Sequence, residues 1–257
     1  MLIDTHCHFD LYPNPKEIID ESEKLGITTI GMTNLPSHFK LGFNHVKGYK
    51  KVRLALGMHP LMAVEHKKEL PLFLKYLDMT SYIGEIGLDF SREGIESKDI
   101  QIASFKRILI SIQKKSKILS IHSRGAEKEV LELLKSYEIK NAIFHWYSGN
   151  LTLIDEIVNS GYYFSINTAM INSKKGKQII ERIPKDHLLT ESDGPYIEHK
   201  GKTVKPVNIN LIIEYLSKLY GLERNSVEEL IKVNFYRLIN NNRLLQMISF
   251  KNLNLNH

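Results

Sequence analysis

His6 and His8 stand two apart in Ile-Asp-Thr-His-Cys-His, and four more potential metal ligands sit at the ends of later apolar runs. These are Glu85 in Gly-Glu-Ile-Gly-Leu-Asp, His122 in Ser-Ile-His-Ser-Arg, His145 in Ile-Phe-His-Trp-Tyr and Asp193 in Leu-Thr-Glu-Ser-Asp. Residues two apart on a strand point the same way, so His6 and His8 can hold one cation between them. Asp4 shares that face, deeper in the chain's first run. Imidazoles and carboxylates without a thiolate suit Mg, Mn, Zn or Fe and do not select among them. Glu85 could bridge two cations about 3.5–4 Å apart, or pair with a buried Arg or Lys. On the bridging reading His6, His8 and Asp193 hold one cation and His122 and His145 the other. Asp193 could also take a proton from an attacking water. Such a pair polarises a substrate oxygen, lowers the pKa of water and stabilises a leaving oxygen, which is the chemistry of hydrolysis.

Around these residues stand candidate substrate groups. Arg124, two past His122, has the planar fork that matches phosphate oxygens, or forms a surface ion pair. His59 ends the third apolar run and could bind a phosphate or leaving group, or pack against Pro60. Tyr147 opens the loop after His145 and is expected at the substrate, with Trp146 alternating away. Glu191 points inward with Asp193 but deeper, in a supporting role. Cys7, on the face opposite the histidines, reads as core. Asp89 and Asn167 are further polar strand-end residues with weaker claims.

Strand and helix patterns alternate along the chain with short connections. Strands are expected at residues 2–8, 28–33, 52–58, 82–86, 117–122, 141–146, 162–166 and 188–193. Helices are expected over about 16–25, 71–77, 99–115, 125–137, 151–160 and 173–182. Alternation of this kind makes a parallel sheet with crossover helices, and eight units close into a (β/α)8 TIM barrel. Strand C-termini of such a barrel meet on one face, so ligands nearly two hundred positions apart converge there. After Asp193, residues 194–202 read as a loop over the site. Two outer helices at 207–220 and 226–239 follow, with a polar, frayed tail from about 240.

The 257 residues fit one α/β domain, here expected over 1–257, with no second domain or repeat. No apolar stretch approaches the roughly 18 residues of a membrane helix. The start runs directly into a strand without the basic segment and apolar core of a signal peptide. The single cysteine cannot form an intrachain disulfide, so the expected compartment is the cytoplasm. A net charge of +6 permits a polyanionic partner without requiring one.

The His-Cys-His start, Gly-Met-His-Pro, Gly-Glu-Ile-Gly-Leu-Asp, Ile-His-Ser-Arg, Phe-His-Trp-Tyr-Ser-Gly and Leu-Leu-Thr-Glu-Ser-Asp-Gly-Pro-Tyr, in that order, resemble the TatD family of metal-dependent DNases. The match covers residues 1 to about 238. The resemblance implies a metal-dependent hydrolase barrel acting as an exonuclease on DNA, with two divalent ions (Mg, Mn or Zn). By motif it implies the ligands His6, His8, Glu85, His122, His145 and Asp193. Trp146-Tyr147 stands where most members have Cys-Phe, and Gly194 replaces the usual Ser or Ala. The family's Arg-Asn-Glu-Pro segment is reduced to Thr203-Val204-Lys205-Pro206, which puts substrate preference in doubt. Asp10-Leu11-Tyr12-Pro13-Asn14-Pro15, Leu56-Gly57-Met58-His59-Pro60 and Ser192-Asp193-Gly194-Pro195 resemble the TatD-like nuclease of Qat-type anti-phage systems, which implies an ATPase and a QueC-like protein as partners. The expected activity is therefore metal-dependent cleavage of phosphodiesters in DNA, with Glu85, Asp193 and Arg124 catalytic. Two alternatives stand beside it: hydrolysis of a small amide, ester or lactone, and a metal-binding defence subunit without turnover.

Overall fold

The computed structural model describes residues 1–254, with side chains described through residue 240. Eight strands succeed one another around a barrel: β1 Ile3–Cys7, β2 Thr28–Gly31, β3 Val52–Leu54, β4 Tyr82–Gly87, β5 Ile118–His122, β6 Ala142–His145, β7 Tyr163–Ile166 and β8 Leu188–Thr190. They pair in parallel as β1-β2-β3 and as β4 through β8. Two seams complete the ring. At the first, Leu56 bridges Ile83 in parallel and Met58 N donates to Glu85 O at 2.9 Å. At the second, Asp193 N donates to His6 O at 2.9 Å and the Thr5 hydroxyl donates to Thr190 O at 3.0 Å. This is the expected TIM-barrel-like α/β fold. The strands read as near-continuous apolar runs because helices cover the sheet outside and side chains fill it inside. Ile30, Leu54, Ile83, Ile121, Phe144 and Leu189 are all buried.

The helices are α1 Pro15–Leu25, α2 Pro36–Val46, α3 His66–Tyr76, α4 Lys98–Ile112, α5 Glu127–Ser136, α6 Leu151–Asn159, α7 Thr168–Asn172, α8 Lys174–Arg182, α9 Ile209–Tyr220 and α10 Arg224–Asn254. Several differ from the sequence reading. Helix α2 occupies residues to which no element was assigned; Pro36 at its first position has φ pre-set for a helix. Helix α3 starts at His66, not 71, because the 3-10 turn Pro60–Glu65 runs on into it, leaving Pro71 inside. Helix α7 precedes α8, capped by the Asn167 side chain, which accepts from Met170 N at 3.1 Å. Strand β8 stops at Thr190, before the left-handed turn at Asp193 (φ 46°). The loop expected at 194–202 includes half of a small antiparallel hairpin, β9 Glu198–His199 with β10 Lys202–Thr203. The tail read as frayed from about 240 continues as α10 to Asn254; residues 255–257 lie outside the described residues.

Candidate metal centre

Strand ends bring the six expected ligands together. His6 is near the end of β1 and His8 one residue past it; Glu85 is in β4, His122 ends β5, His145 ends β6, and Asp193 follows β8. Glu85 is the hub, and its two oxygens have different neighbours. Oε1 lies 2.6 Å from His122 Nδ1, 2.8 Å from His145 Nε2 and 3.3 Å from His59 Nε2. Oε2 lies 3.1 Å from His8 Nε2 and 3.5 Å from His6 Nε2. Those two Nε2 atoms are 3.1 Å apart, and Asp193 Oδ1 stands 3.6 Å from that of His6 and 3.9 Å from that of His8. The His6 ring stacks on that of His145 with centroids 3.9 Å apart, and its Nδ1 is 2.7 Å from Ser120 Oγ. Both contacts fix the imidazole that points into the cluster.

Burial penalises every charge here, and the neighbours decide the outcome. Burial pushes the Glu85 carboxyl up, but the imidazoles of His59 and His145 and the hydrogen bonds from His122 and His145 hold it well below the usual carboxylate range. Burial pushes His145 down, and the charges of Glu85 and Glu191 outweigh it, so its pKa rises. Burial depresses His6, with His145 adding to the effect. Burial raises Asp193, with Glu191 and Glu85 adding and His145 opposing. Asp4, buried with His6 N and Ser192 N donating to its Oδ1, is raised to about 7 by burial. Among the described residues no Lys or Arg pairs with Glu85, Asp193, Asp89, Asp4 or Glu191. The alternative of a buried basic partner for Glu85 is therefore not what the barrel contains.

Outside the six, the sequence reading is met unevenly. His59, expected at the substrate, reaches Glu85 itself. Its Nδ1 accepts from Leu61 N at 3.1 Å, so its proton sits on Nε2 in the neutral form. It thus presents an N–H and not a lone pair, although its position would fit a cation group with Glu85 and His122. Asp89 matters more than its sequence signal: fully buried, it takes His122 Nε2 at 2.7 Å on Oδ2 and Ser91 N at 2.8 Å on Oδ1. Burial opposes ionisation, but those bonds hold its pKa at about 2. Its signal was the Asp closing Gly-Leu-Asp two residues beyond β4. Glu191 accepts from the Ser165 hydroxyl, from Asn167 Nδ2 at 2.8 Å and from Trp146 N at 3.0 Å. Its Oε1 is 3.7 Å from His145 Nδ1, too long for a hydrogen bond. Cys7 is core as read.

Tyr147 is a correction. It is 1% exposed, its ring packs against Phe144 and Phe164, and its hydroxyl donates to Asn150 O, so it cannot meet a substrate. The left-handed backbone of Trp146 (φ 37°) breaks the strand's alternation, which turns Tyr147 inward and leaves Trp146 exposed. Arg124 does not join the cluster either. Its guanidinium lies 3.5 Å from Glu93 Oε2, with both side chains more than half exposed.

Comparisons with known proteins give the family. The model of the TatD related DNase family matches residues 3–240. The chain belongs to the TatD related DNase family. Its relatives include the uncharacterized metal-dependent hydrolase MJ1582 of Methanocaldococcus jannaschii, 28% identical over 90% of this chain and 94% of that protein. Deoxyribonuclease TATDN3 of Homo sapiens is 25% identical, with 90% and 91% covered. The solved TatD homolog YJJV from Escherichia coli K12 superposes with a TM-score of 0.83 at 23% identity, over 92% of this chain and 97% of that one. This chain is thus a metal-dependent hydrolase of the TatD type, and the donor set fits divalent cations. Three imidazole nitrogens crowd Oε1 of Glu85, more than the two lone pairs of one oxygen can accept. His6, His8 and Asp193 form one candidate group, and His6, Glu85 and His145 a second.

Proposed function

We propose that the chain is a divalent-metal-dependent phosphodiester hydrolase acting on DNA, with two cations (Mg, Mn or Zn) sharing Glu85. The observation that carries this reading is the division of imidazoles between the two oxygens of Glu85. His6, His8 and Asp193 would hold the first cation, and His122 and His145 the second. Cations bound there supply charge for a phosphoryl oxygen and ease deprotonation of an attacking water. The chain's own groups do the rest. Asp193 is placed to accept the water's proton. His59 donates its Nε2–H to a phosphoryl oxygen. Asp89 holds the His122 ring so that Nδ1 faces inward. Arg124 exchanges Glu93 for a phosphate at the rim. Relatives named as deoxyribonucleases favour DNA over a small ester, amide or lactone. Action at DNA ends and a place beside the ATPase and QueC-like protein of a Qat-type system rest on motif resemblance, and a cytoplasmic setting rests on the single cysteine.

The test is hydrolysis of labelled single-stranded and duplex DNA, and of generic esters and lactones, across Mg, Mn and Zn with a chelator control. DNA cleavage that needs metal and stops in chelator is expected. Full activity in excess chelator, or turnover of esters and lactones alone, overturns the reading.

A further inference from the structure

Trp146 is the chain's single tryptophan, and it follows His145 directly. Tryptophan is a large side chain that proteins usually cover, yet this one is 36% exposed. Its position is fixed from behind: φ is left-handed and its backbone N–H donates to the buried carboxylate of Glu191. Among the described residues nothing stacks on its indole or hydrogen-bonds to it. The rim therefore maintains a free aromatic face one residue from the cluster.

Beyond it the loop opens into a groove of about 840 Å³, lined by Gly125, Ser148, Gly149, Lys174, Lys175 and Gln178. Ser148 and Gly149 lie two and three residues past Trp146. Lys175 Nζ donates to Ser148 O, tying the start of α8 to this loop, while Lys174 is free of partners among the described residues. Glu127 is the one acid in the lining, and its Oε1 accepts from Gly125 N at 3.3 Å. An exposed aromatic side chain one residue from the cluster, followed along the same loop by a groove carrying two lysines, matches a nucleotide strand: a π-face for a base, then cations for backbone phosphates.

We propose that Trp146 is the stacking platform for the base adjoining the scissile phosphate, and that Lys174 and Lys175 take the next phosphates of the strand. The proposal rests on the phosphodiester reading above, but its test does not depend on turnover. Because Trp146 is the single tryptophan, the protein's indole emission reports on this site alone. The full chain would be titrated in Ca²⁺ with an oligothymidylate of about eight nucleotides. An abasic phosphodiester of equal length and charge is the control, and anisotropy of labelled strands records binding.

The oligothymidylate should quench the emission saturably, and the abasic strand should bind without quenching. Trp146→Ala should bind the oligothymidylate about tenfold more weakly, the loss expected for one base–aromatic stack. Trp146→Phe should retain part of the affinity. Lys174→Glu with Lys175→Glu should weaken both strands and flatten their salt dependence. Binding without any change in emission, equal quenching by the abasic strand, wild-type affinity in Trp146→Ala, or no binding of either strand would each overturn the proposal. Hydrolysis of bis(p-nitrophenyl) phosphate by the wild-type protein tests the phosphodiester reading without a base, so the two ideas can fail separately.

Discussion

The floor of the barrel mouth and its rim are built on opposite terms. On the floor, Glu85, Asp193, His6 and His8 are at most 2% exposed, and among the described residues the acids have histidines but no lysine or arginine beside them. On the rim, Arg124, Lys174 and Lys175 are exposed, and the ion pair of Arg124 with Glu93 is loose. A buried cluster of carboxylates without bases is costly unless cations complete it. A solvated rim charge contributes little to stability and mostly guides a charged partner. On the proposed reading the floor carries the chemistry and the rim the recognition.

The largest effects should come from the floor. His6→Ala and Asp193→Ala should abolish hydrolysis while leaving the circular dichroism spectrum unchanged. Glu85→Gln keeps the side chain's shape but removes the shared charge. Its rate should fall at least about a hundredfold, on the order of 3 kcal/mol in the barrier. If that variant instead cut normally but melted far earlier, Glu85 would be a structural residue of the barrel.

The same cost is visible in Asp4, which is buried and raised to about 7. Between its ordinary value and 7 the unfolded chain has released this proton while the folded chain keeps it. Stability of the metal-free protein therefore falls as pH rises through that window and levels off above it. Asp4→Asn should raise the melting temperature of metal-free protein at pH 8, by an amount corresponding to a few kcal/mol. The gain should vanish near pH 3. A gain that does not change with pH would show that packing, not ionisation, is responsible.

One step out from the cluster, Asp89→Asn should weaken metal binding by about 10–100-fold, because His122 loses the carboxylate that orients it. Calorimetric titration would show this, and an unchanged affinity would make the His122–Asp89 contact incidental. At the rim, Arg124→Ala should reduce the slope of log affinity against log salt by roughly one unit for DNA. No change in slope would remove Arg124 from the interface.

Much of the floor was readable in the sequence. Short apolar runs ending in His, Glu or Asp identify barrel strands, and a parallel barrel collects their ends. Asp89 was underweighted because it lies past the end of β4, where strand alternation no longer says which way a side chain points. Trp146 and Tyr147 were exchanged for a related reason. The period of two fails at a left-handed residue, and Trp146 carries no local signal such as Gly or Asn for that conformation. Helix α2 was missed although Pro36 marks its start, since no element was assigned between residues 33 and 52. Floor residues follow from periodicity, whereas rim residues depend on loop dihedrals that no period encodes.

The central claim is that one carboxylate is shared by two cations. Crystals soaked in Mn²⁺ and measured for anomalous scattering would test it directly. Two peaks are predicted, one beside Oε1 of Glu85 among His122 and His145, and one beside Oε2 among His6, His8 and Asp193. A single peak, or two peaks with Glu85 bound to neither, would contradict it.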